Sequence, residues 1–404
     1  MQYALVILDG ASGEPVEDFE GRTSLEESKT PYLDALARSG VVGLMQNVPE
    51  GLVSGSDVAC LSIMGYDPLR CLAGRGAIEG AALGIELEEG QVAFRMNLGC
   101  VENNIMKSYS TDNMSTEDGN ALAAELKDAL DSDVFTLYPG TSFRQALVVK
   151  GYPEAMNLSY ELPHEFAEQD ISVACKPKAS TAEEQKIADL LVDYMLAANE
   201  ILAKSPVNAR RVAEGKMPAN HAWVFWAGMK PGDLLPFEEV YHKTAAVNSA
   251  VDLLVGLGKM TGMKTYRFDG VTDGPNNDFA AQGKGALAML EDGNDFVIVH
   301  VEAPDAAGHD GCPAEKKNAI EESDKHILGP LLEYAKTHPL RIAVMPDHPT
   351  PLVTRKHSDD PVPFVLAGEG IEGNGAARMT EAEAKSTGLY LAEGHTFLKE
   401  MLFA

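Results

Sequence analysis

The sequence predicts an α/β protein, in which a doubly wound, mostly parallel sheet carries a smaller inserted α+β domain. A chain of 404 residues exceeds the usual size of one hydrophobic core, so two domains are expected. Short apolar runs alternate with helical patterns near both ends of the chain. The middle has strands and helices without that alternation. We therefore expect residues 1–90 and 241–404 to form the main domain and residues 91–240 the inserted one.

The N-terminal segment has the pattern of a βαβ unit. Residues 3–8 are a continuous apolar run ending at Asp9, which is typical of a buried parallel strand followed by a functional loop. A helix is expected to begin with Thr30 as its N-cap and Pro31 at its first position. A second strand is expected at residues 41–44.

Three apolar runs near the C-terminus predict strands that extend the same sheet, at residues 296–301, 340–345 and 363–367. A helical pattern at residues 314–334 lies between the first two. In doubly wound sheets ligands bind beyond the carboxyl ends of the strands. Acids stand at three such ends, and they are Asp9, Asp305 and Asp347.

The middle of the chain predicts the α+β domain. Strand-like runs occur at residues 92–98, 105–109 and 145–149. Helical spacing occurs at residues 116–130 and 181–203, and Thr181 opens the second helix with a capping-box sequence. The stretches at 152–174 and 217–236, rich in Pro, Gly and Asn, are expected to be loops.

The charge balance restricts the partners. The chain has 33 Lys and Arg against 61 Asp and Glu, a net charge of −28, which repels nucleic acid and anionic membranes. A small anionic substrate would need a local cluster of Arg, Lys or metal. No run of 18 apolar residues predicts a transmembrane helix. Five scattered cysteines without a CxxC pair, and an N-terminus unlike a signal peptide, indicate a cytoplasmic protein.

Residues that can bind metal are concentrated late in the chain. Asp305 and His309 are four positions apart, so they can face one ion from a single helical turn or a tight loop. Pro304 and Gly308 favour the loop.

A second set of ligands follows. Asp347 and His348 are adjacent and point in different directions, so two neighbouring ions suit them better than one. His357 comes after a Pro-rich turn, and Asp9 stands at the end of the first strand. Together with the earlier pair, these residues predict a two-metal phosphoryl-transfer site. Such ligands suit manganese, magnesium, zinc or cobalt.

Ser56 is the candidate nucleophile. It follows a Gly/Ser loop and precedes a regular apolar pattern, which places it near a helix N-terminus, where backbone N–H groups favour an anion. Near metal ions its hydroxyl can ionise and attack phosphorus. Considered alone, Ser56 is also compatible with a plain N-cap. Ser54 and Ser62 are weaker candidates by position.

Five basic residues are candidates for binding the anionic part of a substrate: Arg75, Arg95, Lys107, Arg144 and Lys243. Arg75 lies between two glycines and Arg95 within an apolar strand pattern, and a guanidinium fork suits phosphate or carboxylate. Each of the five could instead be a solvated surface cation. P-loop, GxGxxG and GxSxG motifs are absent, so conventional nucleotide folds have no support.

Several motifs together resemble those of a known family. The matching stretches cover nearly the whole chain and include Gly55-Ser-Asp-Val-Ala59, Gly74-Arg-Gly76, the ten residues 300–309, and Asp347-His-Pro-Thr-Pro351. On these residues the chain resembles the archaeal-type cofactor-independent phosphoglycerate mutases of the alkaline phosphatase superfamily. The resemblance implies an alkaline phosphatase-like core.

The resemblance also implies a cytoplasmic isomerase of glycolysis that binds two divalent ions, manganese first, and needs no 2,3-bisphosphoglycerate. One ion would be held by Asp305, His309 and His357, and the other by Asp9, Asp347, His348 and Ser56. Ser56 would carry a phosphoserine while 3-phosphoglycerate and 2-phosphoglycerate interconvert. The inserted domain would close over the site and supply cations, and it would exclude water because water turns transfer into hydrolysis.

One segment departs from the family pattern and leaves the substrate open. Where archaeal-type mutases carry an Arg-rich segment, residues 107–113 here read Lys-Ser-Tyr-Ser-Thr-Asp-Asn. This is closer to a related branch of proposed homoserine kinases, so a phosphotransferase with another acceptor, such as homoserine, is the second interpretation. A phosphatase and a metal-binding protein without catalysis are further alternatives. The intact Ser56 and its six accompanying ligands count against the last.

Overall fold

The computed structural model describes all residues, 1–404, and divides them into two compact units. Unit 1 comprises Met1–Leu72 and Pro231–Ala404, and unit 2 comprises Ala73–Lys230. Unit 2 therefore begins before the expected residue 91, because the helix Arg75–Ala82 packs on its strands. It also ends before the expected residue 240.

The strands, in chain order, are β1 (Gln2–Leu8), β2 (Val41–Met45), β3 (Val92–Glu102), β4 (Ile105–Ser108), β5 (Phe135–Tyr138), β6 (Arg144–Val149), β7 (His221–Gly228), β8 (Ala245–Asn248), β9 (Lys264–Tyr266), β10 (Phe296–Val301), β11 (Leu340–Met345), β12 (Val362–Gly368) and β13 (Tyr390–Leu391). The α-helices are α1 (Ser24–Glu27), α2 (Pro31–Ser39), α3 (Ser56–Ile63), α4 (Pro68–Cys71), α5 (Arg75–Ala82), α6 (Thr116–Leu130), α7 (Ala182–Lys204), α8 (Pro206–Ala213), α9 (Phe237–Tyr241), α10 (Asp252–Met260), α11 (Phe279–Glu291), α12 (Ala303–Asp310), α13 (Pro313–Ser323), α14 (Gly329–Ala335) and α15 (Glu381–Ser386). None of these helices combines the length and apolarity that crossing a lipid bilayer demands.

Unit 1 is built on an eight-stranded sheet with the order β13-β2-β12-β11-β1-β10-β8-β9. All neighbouring strands are parallel except at β12, which is antiparallel to both β11 and β2. The predicted mostly parallel α/β fold is thus confirmed. The strand expected at 363–367 belongs to this sheet but runs against its neighbours.

The register of the central strands brings their carboxyl ends together. Leu8 at the end of β1 pairs with Val301 of β10, and Ile7 pairs with Met345 of β11. These strands consist almost wholly of buried apolar residues, as expected for a parallel sheet covered on both faces. The segments that follow them therefore start side by side at one edge of the sheet.

Two helical predictions in unit 1 need correction. Asp305 and His309 lie on the helix α12 and not in a loop. Pro304 is tolerated because it lies in the first turn, where its missing N–H has no intrahelical acceptor. Gly308 serves close packing, since a Cβ there would lie 2.8 Å from Thr350. The helix expected at 314–334 is divided into α13 and α14 by a π-helical turn.

Unit 2 has an antiparallel sheet of five strands, in which β3 is central and pairs with β4, β6 and β7. The predicted strands at 92–98, 105–109 and 145–149 and the helices α6 and α7 are all present, and Thr181 caps α7 with the expected box. The strand β7 was missed within the supposed loop 217–236. Its consecutive residues 222–225 are all buried, so its sequence lacks the alternation that identifies a strand.

Candidate active site

The turn after β1 places the first acid. Asp9 is fully buried, and Gly10 follows it with a φ of +60°. A Cβ at Gly10 would lie 2.5 Å from the Asp305 Oδ1 and 2.6 Å from the Thr350 Oγ1. Only glycine therefore permits both the left-handed turn and the close approach of the segments after β10 and β11.

One cluster of potential ligands consists of Asp305, His309 and His357. The Nε2 of His309 lies 3.2 Å from Asp305 Oδ2, and the Nε2 of His357 lies 3.5 Å from Asp305 Oδ1. The two Nε2 atoms are 2.8 Å apart. Two imidazole nitrogens and a carboxylate thus converge on one point, although Asp305 and His309 belong to α12 and His357 to a loop after β11.

A second cluster consists of Asp9, Asp347 and His348, all of them buried. The His348 Nε2 lies 3.2 Å from Asp347 Oδ2 and 3.7 Å from Asp9 Oδ1. The backbone N–H groups of Gly10 and His348 donate to the other Asp347 oxygen, Oδ1. The Asp347 side chain is therefore held with its Oδ2 turned towards His348.

Ser56 lies beside this second cluster. It is the first residue of α3, after Gly55 as N-cap, so the predicted helix N-terminus is confirmed. Its Oγ is 3.2 Å from the His348 Nε2 and 3.4 Å from the Asp9 Oδ2. The weaker candidates lie elsewhere: the Ser54 Oγ donates to the carbonyl of Ser358, and Ser62 is buried within α3.

The pKa values of one acid in each cluster are shifted in opposite directions. Burial and the negative charge of Asp347 raise the pKa of Asp9 well above its usual range. Burial acts in the same direction on Asp305, but hydrogen bonds with His309 and His357 outweigh it and hold the Asp305 pKa below its usual range. The bond with Asp305 in turn raises the pKa of His309 to about 9.

These clusters fit divalent metal ions. The ion pairs of Asp9, Asp305 and Asp347 are all with histidines. The buried Asp9 Oδ1 has no hydrogen-bond partner. Buried carboxylates need a compensating charge. Carboxylate and imidazole donors are ligands that manganese, zinc and cobalt accept.

Two further residues of the site, His300 and Glu302, were not assigned from the sequence. The His300 Nε2 lies 2.7 Å from Asp9 Oδ2, and its Nδ1 lies 3.0 Å from the Ser249 hydroxyl. Asp9, His300 and Glu302 form a third cluster with metal-ligand spacing. Burial and the charge of Asp305 raise the pKa of Glu302 to about 8. A histidine inside a buried strand and an acid just beyond it were the available signals.

Three of the five predicted cations lie close together in unit 2. The Arg75 and Arg95 guanidinium carbons lie 4.5 Å and 5.2 Å from the centre of the Trp226 ring. Trp226 has a φ of +50° at an irregularity in the pairing of β3 and β7. The Arg95 guanidinium is paired with Glu79 over 3.3 Å. The pKa of Arg95 is lowered mainly by burial, and the charges of Arg144 and Arg75 act in the same direction.

The other two cations are placed differently. The Lys107 Nζ donates to Glu168 over 2.6 Å, so its charge is already paired. Lys243 belongs to unit 1 and lies over the rings of Tyr3 and Phe403. Tyr3 is at the start of β1, roughly 20 Å along the strand from Asp9. The structure therefore does not bring Lys243 to the candidate site.

Comparison with known proteins gives consistent results over the whole chain. The profile of the 2,3-bisphosphoglycerate-independent phosphoglycerate mutases matches residues 37–208. A protein of that name from Methanosarcina barkeri is 38% identical over 97% of both chains, and one from Pyrococcus furiosus is 35% identical over 98% of this chain and 96% of its own.

Solved structures show the same relationship. A Pyrococcus horikoshii protein aligns with a TM-score of 0.84 at 30% identity, over 100% of this chain and 96% of its own. The cofactor-independent phosphoglycerate mutase of Thermoplasma acidophilum aligns with a TM-score of 0.67 at 24% identity, over 99% and 98% of the two chains, and so shares the fold. Since relatives more than 30% identical are matched over 96–97% of their length, this chain belongs to the family of 2,3-bisphosphoglycerate-independent phosphoglycerate mutases.

Proposed function

We propose that the protein is a metal-dependent isomerase that interconverts 3-phosphoglycerate and 2-phosphoglycerate, without 2,3-bisphosphoglycerate, through a phosphoserine at Ser56. The observation that carries the proposal is the position of Ser56. Its hydroxyl lies at the N-terminus of α3 and within 3.4 Å of both Asp9 and His348. Membership of a family of mutases and this position of Ser56 both fit phosphoryl transfer through a serine.

Two divalent ions complete the proposed site, with manganese as the first choice. Asp305, His309 and His357 would hold one, and Asp9, Asp347, His348 and Ser56 would hold the other. When bound, the ions would neutralise the buried carboxylates and the phosphoryl oxygens, and would lower the pKa of the serine hydroxyl. His300 and Glu302, which form a cluster with the same Asp9, are not assigned to either ion.

Ser56 does the covalent chemistry in two steps. Its Oγ forms a bond to phosphorus as the bond from phosphorus to the 3-oxygen of the glycerate breaks, and that oxygen gains a proton in place of the one Ser56 lost. The 2-hydroxyl then attacks the phosphoserine and loses its proton, while the serine hydroxyl is restored. No proton is gained or lost overall. The N–H groups at the start of α3 favour the anion at this position.

Unit 2 would recognise the rest of the substrate. Arg75, Arg95 and Arg144 form the cluster suited to a carboxylate or phosphate group. We propose that unit 2 also excludes water during transfer, because a phosphoserine open to water would be hydrolysed. The cytoplasm and glycolysis are the expected setting.

A phosphotransferase that acts on another acceptor, such as homoserine, is the second candidate. The specific observation in its favour is the segment 107–113, which begins within β4. Lys107, the one cation there, is paired with Glu168, and an acid, Asp112, lies four residues after β4 ends. A segment so poor in free positive charge suits an acceptor with less negative charge than phosphoglycerate.

Phosphorus NMR distinguishes these functions. The manganese-loaded protein is mixed with 3-phosphoglycerate without bisphosphoglycerate, and the metal is removed before the spectrum is recorded. Appearance of 2-phosphoglycerate supports the mutase. Appearance of inorganic phosphate alone would indicate that the protein is a phosphatase and not a mutase. An unchanged spectrum would contradict the proposal, and homoserine with a phosphate donor would be tested next.

A further inference from the structure

Thr350 touches both ligand clusters of the active site. It is fully buried in the loop after β11, two residues beyond His348. Its Oγ1 donates to Asp305 Oδ1 over 2.5 Å and lies 3.3 Å from the His348 Nδ1. One hydroxyl thus contacts Asp305 of the first cluster and His348 of the second.

The hydrogen bonds available to this hydroxyl favour one tautomer of His348. A hydroxyl has a single hydrogen, and an ionised carboxylate can only accept, so the hydrogen of Thr350 goes to Asp305. The oxygen can then accept from the His348 Nδ1, so this contact favours the tautomer with the proton on Nδ1. In that tautomer the Nε2, 3.2 Å from both Ser56 and Asp347, has the lone pair that a metal ion requires.

The backbone of Thr350 is held independently. Lys316 of α13 is completely buried, and its Nζ donates to the carbonyls of Thr350 and Ser12 over 2.7 and 3.2 Å. The Thr350 N–H also donates to the Ser12 carbonyl. These bonds join the loop after β11 to the loop after β1, which carries Asp9.

We propose that Thr350 is a positioning residue that couples the two metal clusters. Its hydroxyl orients Asp305 and holds His348 in the tautomer with the proton on Nδ1, and Lys316 fixes the loop from which it acts. The inference rests on the metal roles proposed above, but not on the identity of the substrate. Outer-shell bonds of this kind typically change metal affinity by about 10- to 100-fold.

The test combines the histidine tautomer with metal affinity. Nitrogen-15 histidine spectra of the metal-free protein report the tautomer, and loss of one ring signal in His348→Asn assigns it. Calorimetry with Mn²⁺ alone then compares Thr350→Val, which keeps the shape, with Thr350→Ser, which keeps the hydroxyl. Thr354→Val is the control, because Thr354 is exposed in the same loop.

The proposal expects the Nδ1–H tautomer in the native protein. It also expects Thr350→Val to weaken both manganese sites by about 10- to 100-fold. Thr350→Ser should stay within about threefold of native, and Thr354→Val should be unchanged. Native affinity in Thr350→Val, or weakening of one site only, would overturn it. If that variant does not fold, an Nε2–H tautomer in the native protein would be decisive against it.

Failure of the proposed function would look different. A native protein that binds two manganese ions and has the Nδ1–H tautomer, yet does not convert 3-phosphoglycerate, would contradict the mutase and leave the role of Thr350 intact. A protein that converts 3-phosphoglycerate, but whose manganese affinity is the same in Thr350→Val as in the native protein, would contradict the role of Thr350 and support the mutase.

Discussion

The Nε2 atoms of His309 and His357 lie 2.8 Å apart, and each faces one oxygen of the Asp305 carboxylate. Two ring nitrogens at this distance can share a proton or face a common cation. The residues come from α12 and from a loop after β11, so their meeting is a product of the tertiary fold.

Removing this cluster should remove one ion. We expect Asp305→Asn combined with His309→Ala to weaken one of the two manganese sites by more than about 100-fold, beyond the range of outer-shell changes. Elemental analysis after dialysis should show close to one ion per chain. The matched control is Glu322→Gln with His326→Ala, a carboxylate–histidine pair with the same spacing elsewhere. Unchanged metal content in the Asp305 variant would refute the assignment.

Metal binding at this cluster should release protons. Because Asp305 raises the pKa of His309 to about 9, the ring is mostly protonated at neutral pH and must lose its proton to bind an ion. Manganese affinity should therefore increase as the pH rises towards 9, and it should decrease as the pH is lowered. Calorimetry in buffers with different ionisation enthalpies measures the protons released. Binding at pH 7 without proton release would contradict this prediction.

Ser56→Ala should abolish phosphoryl transfer. Loss of an attacking serine typically costs on the order of 10⁴- to 10⁶-fold in rate. The metal content should stay nearly unchanged, because Asp9, Asp347 and His348 remain. Ser54→Ala is the control, since its hydroxyl bonds only to a backbone carbonyl. Turnover is followed by phosphorus NMR, and retained turnover in Ser56→Ala would exclude Ser56 as the nucleophile.

Gly10→Ala should damage the site through both strain and overlap. The positive φ costs about 1–3 kcal/mol for a residue with a side chain. The new Cβ would also displace Asp305 or Thr350. Gly21→Ala separates the two effects, because Gly21 has a φ of +80° with nothing within 4 Å. Urea unfolding and manganese binding are measured for both, and only Gly10→Ala should lose metal affinity.

Asp118 should make the stability of unit 2 depend on pH. Although burial opposes it, ionic hydrogen bonds with Arg211 and Arg210 lower the Asp118 pKa. An acid with a lowered pKa contributes stability above its unfolded pKa of about 3.9, and this contribution is lost as the pH falls through the folded value. Asp118→Asn should therefore cost about 3 kcal/mol at pH 7, because it leaves the buried Arg211 unpaired.

Urea unfolding of native protein and Asp118→Asn at several pH values tests this. The difference between them should narrow as the pH approaches and falls below 4. Glu161→Gln, which breaks an exposed pair with Lys178 elsewhere in unit 2, should behave like the native protein. A difference that is constant with pH would show that Asp118 acts through packing alone.

The sequence was sufficient to predict the acids of the site but not their full surroundings. Asp9 and Asp347 follow apolar runs, and parallel strands that pair directly must bring such residues to one edge. The place of His300 in the site was missed because a polar residue within an apolar strand is ordinarily given a structural role. Lys243 was expected at the site, but it lies at the other end of the sheet, over Tyr3. The apolar pattern of a strand does not show at which end of the sheet a residue next to that strand will lie.

Long-range pairing explains the remaining errors. The direction of β12 depends on its contacts with β2 and β11, which are far from it in sequence or separated by a loop. The strand β7 is identifiable only through its pairing with β3. Gly308 of α12 packs so closely on Thr350 that a Cβ there would lie 2.8 Å away, a contact between segments that are distant in sequence. Local propensity contains none of this information.

The position of β1 has a consequence for biosynthesis. Its partners are β10 and β11, and 287 residues lie between Leu8 and Phe296. At about 5–20 residues per second, the ribosome needs roughly 15–60 s to synthesise this interval. The strands of unit 2 all lie within the interval and can pair in the meantime. The apolar segment Gln2–Leu8 must wait unpaired, so the nascent chain is a natural client for a chaperone until its C-terminal third emerges.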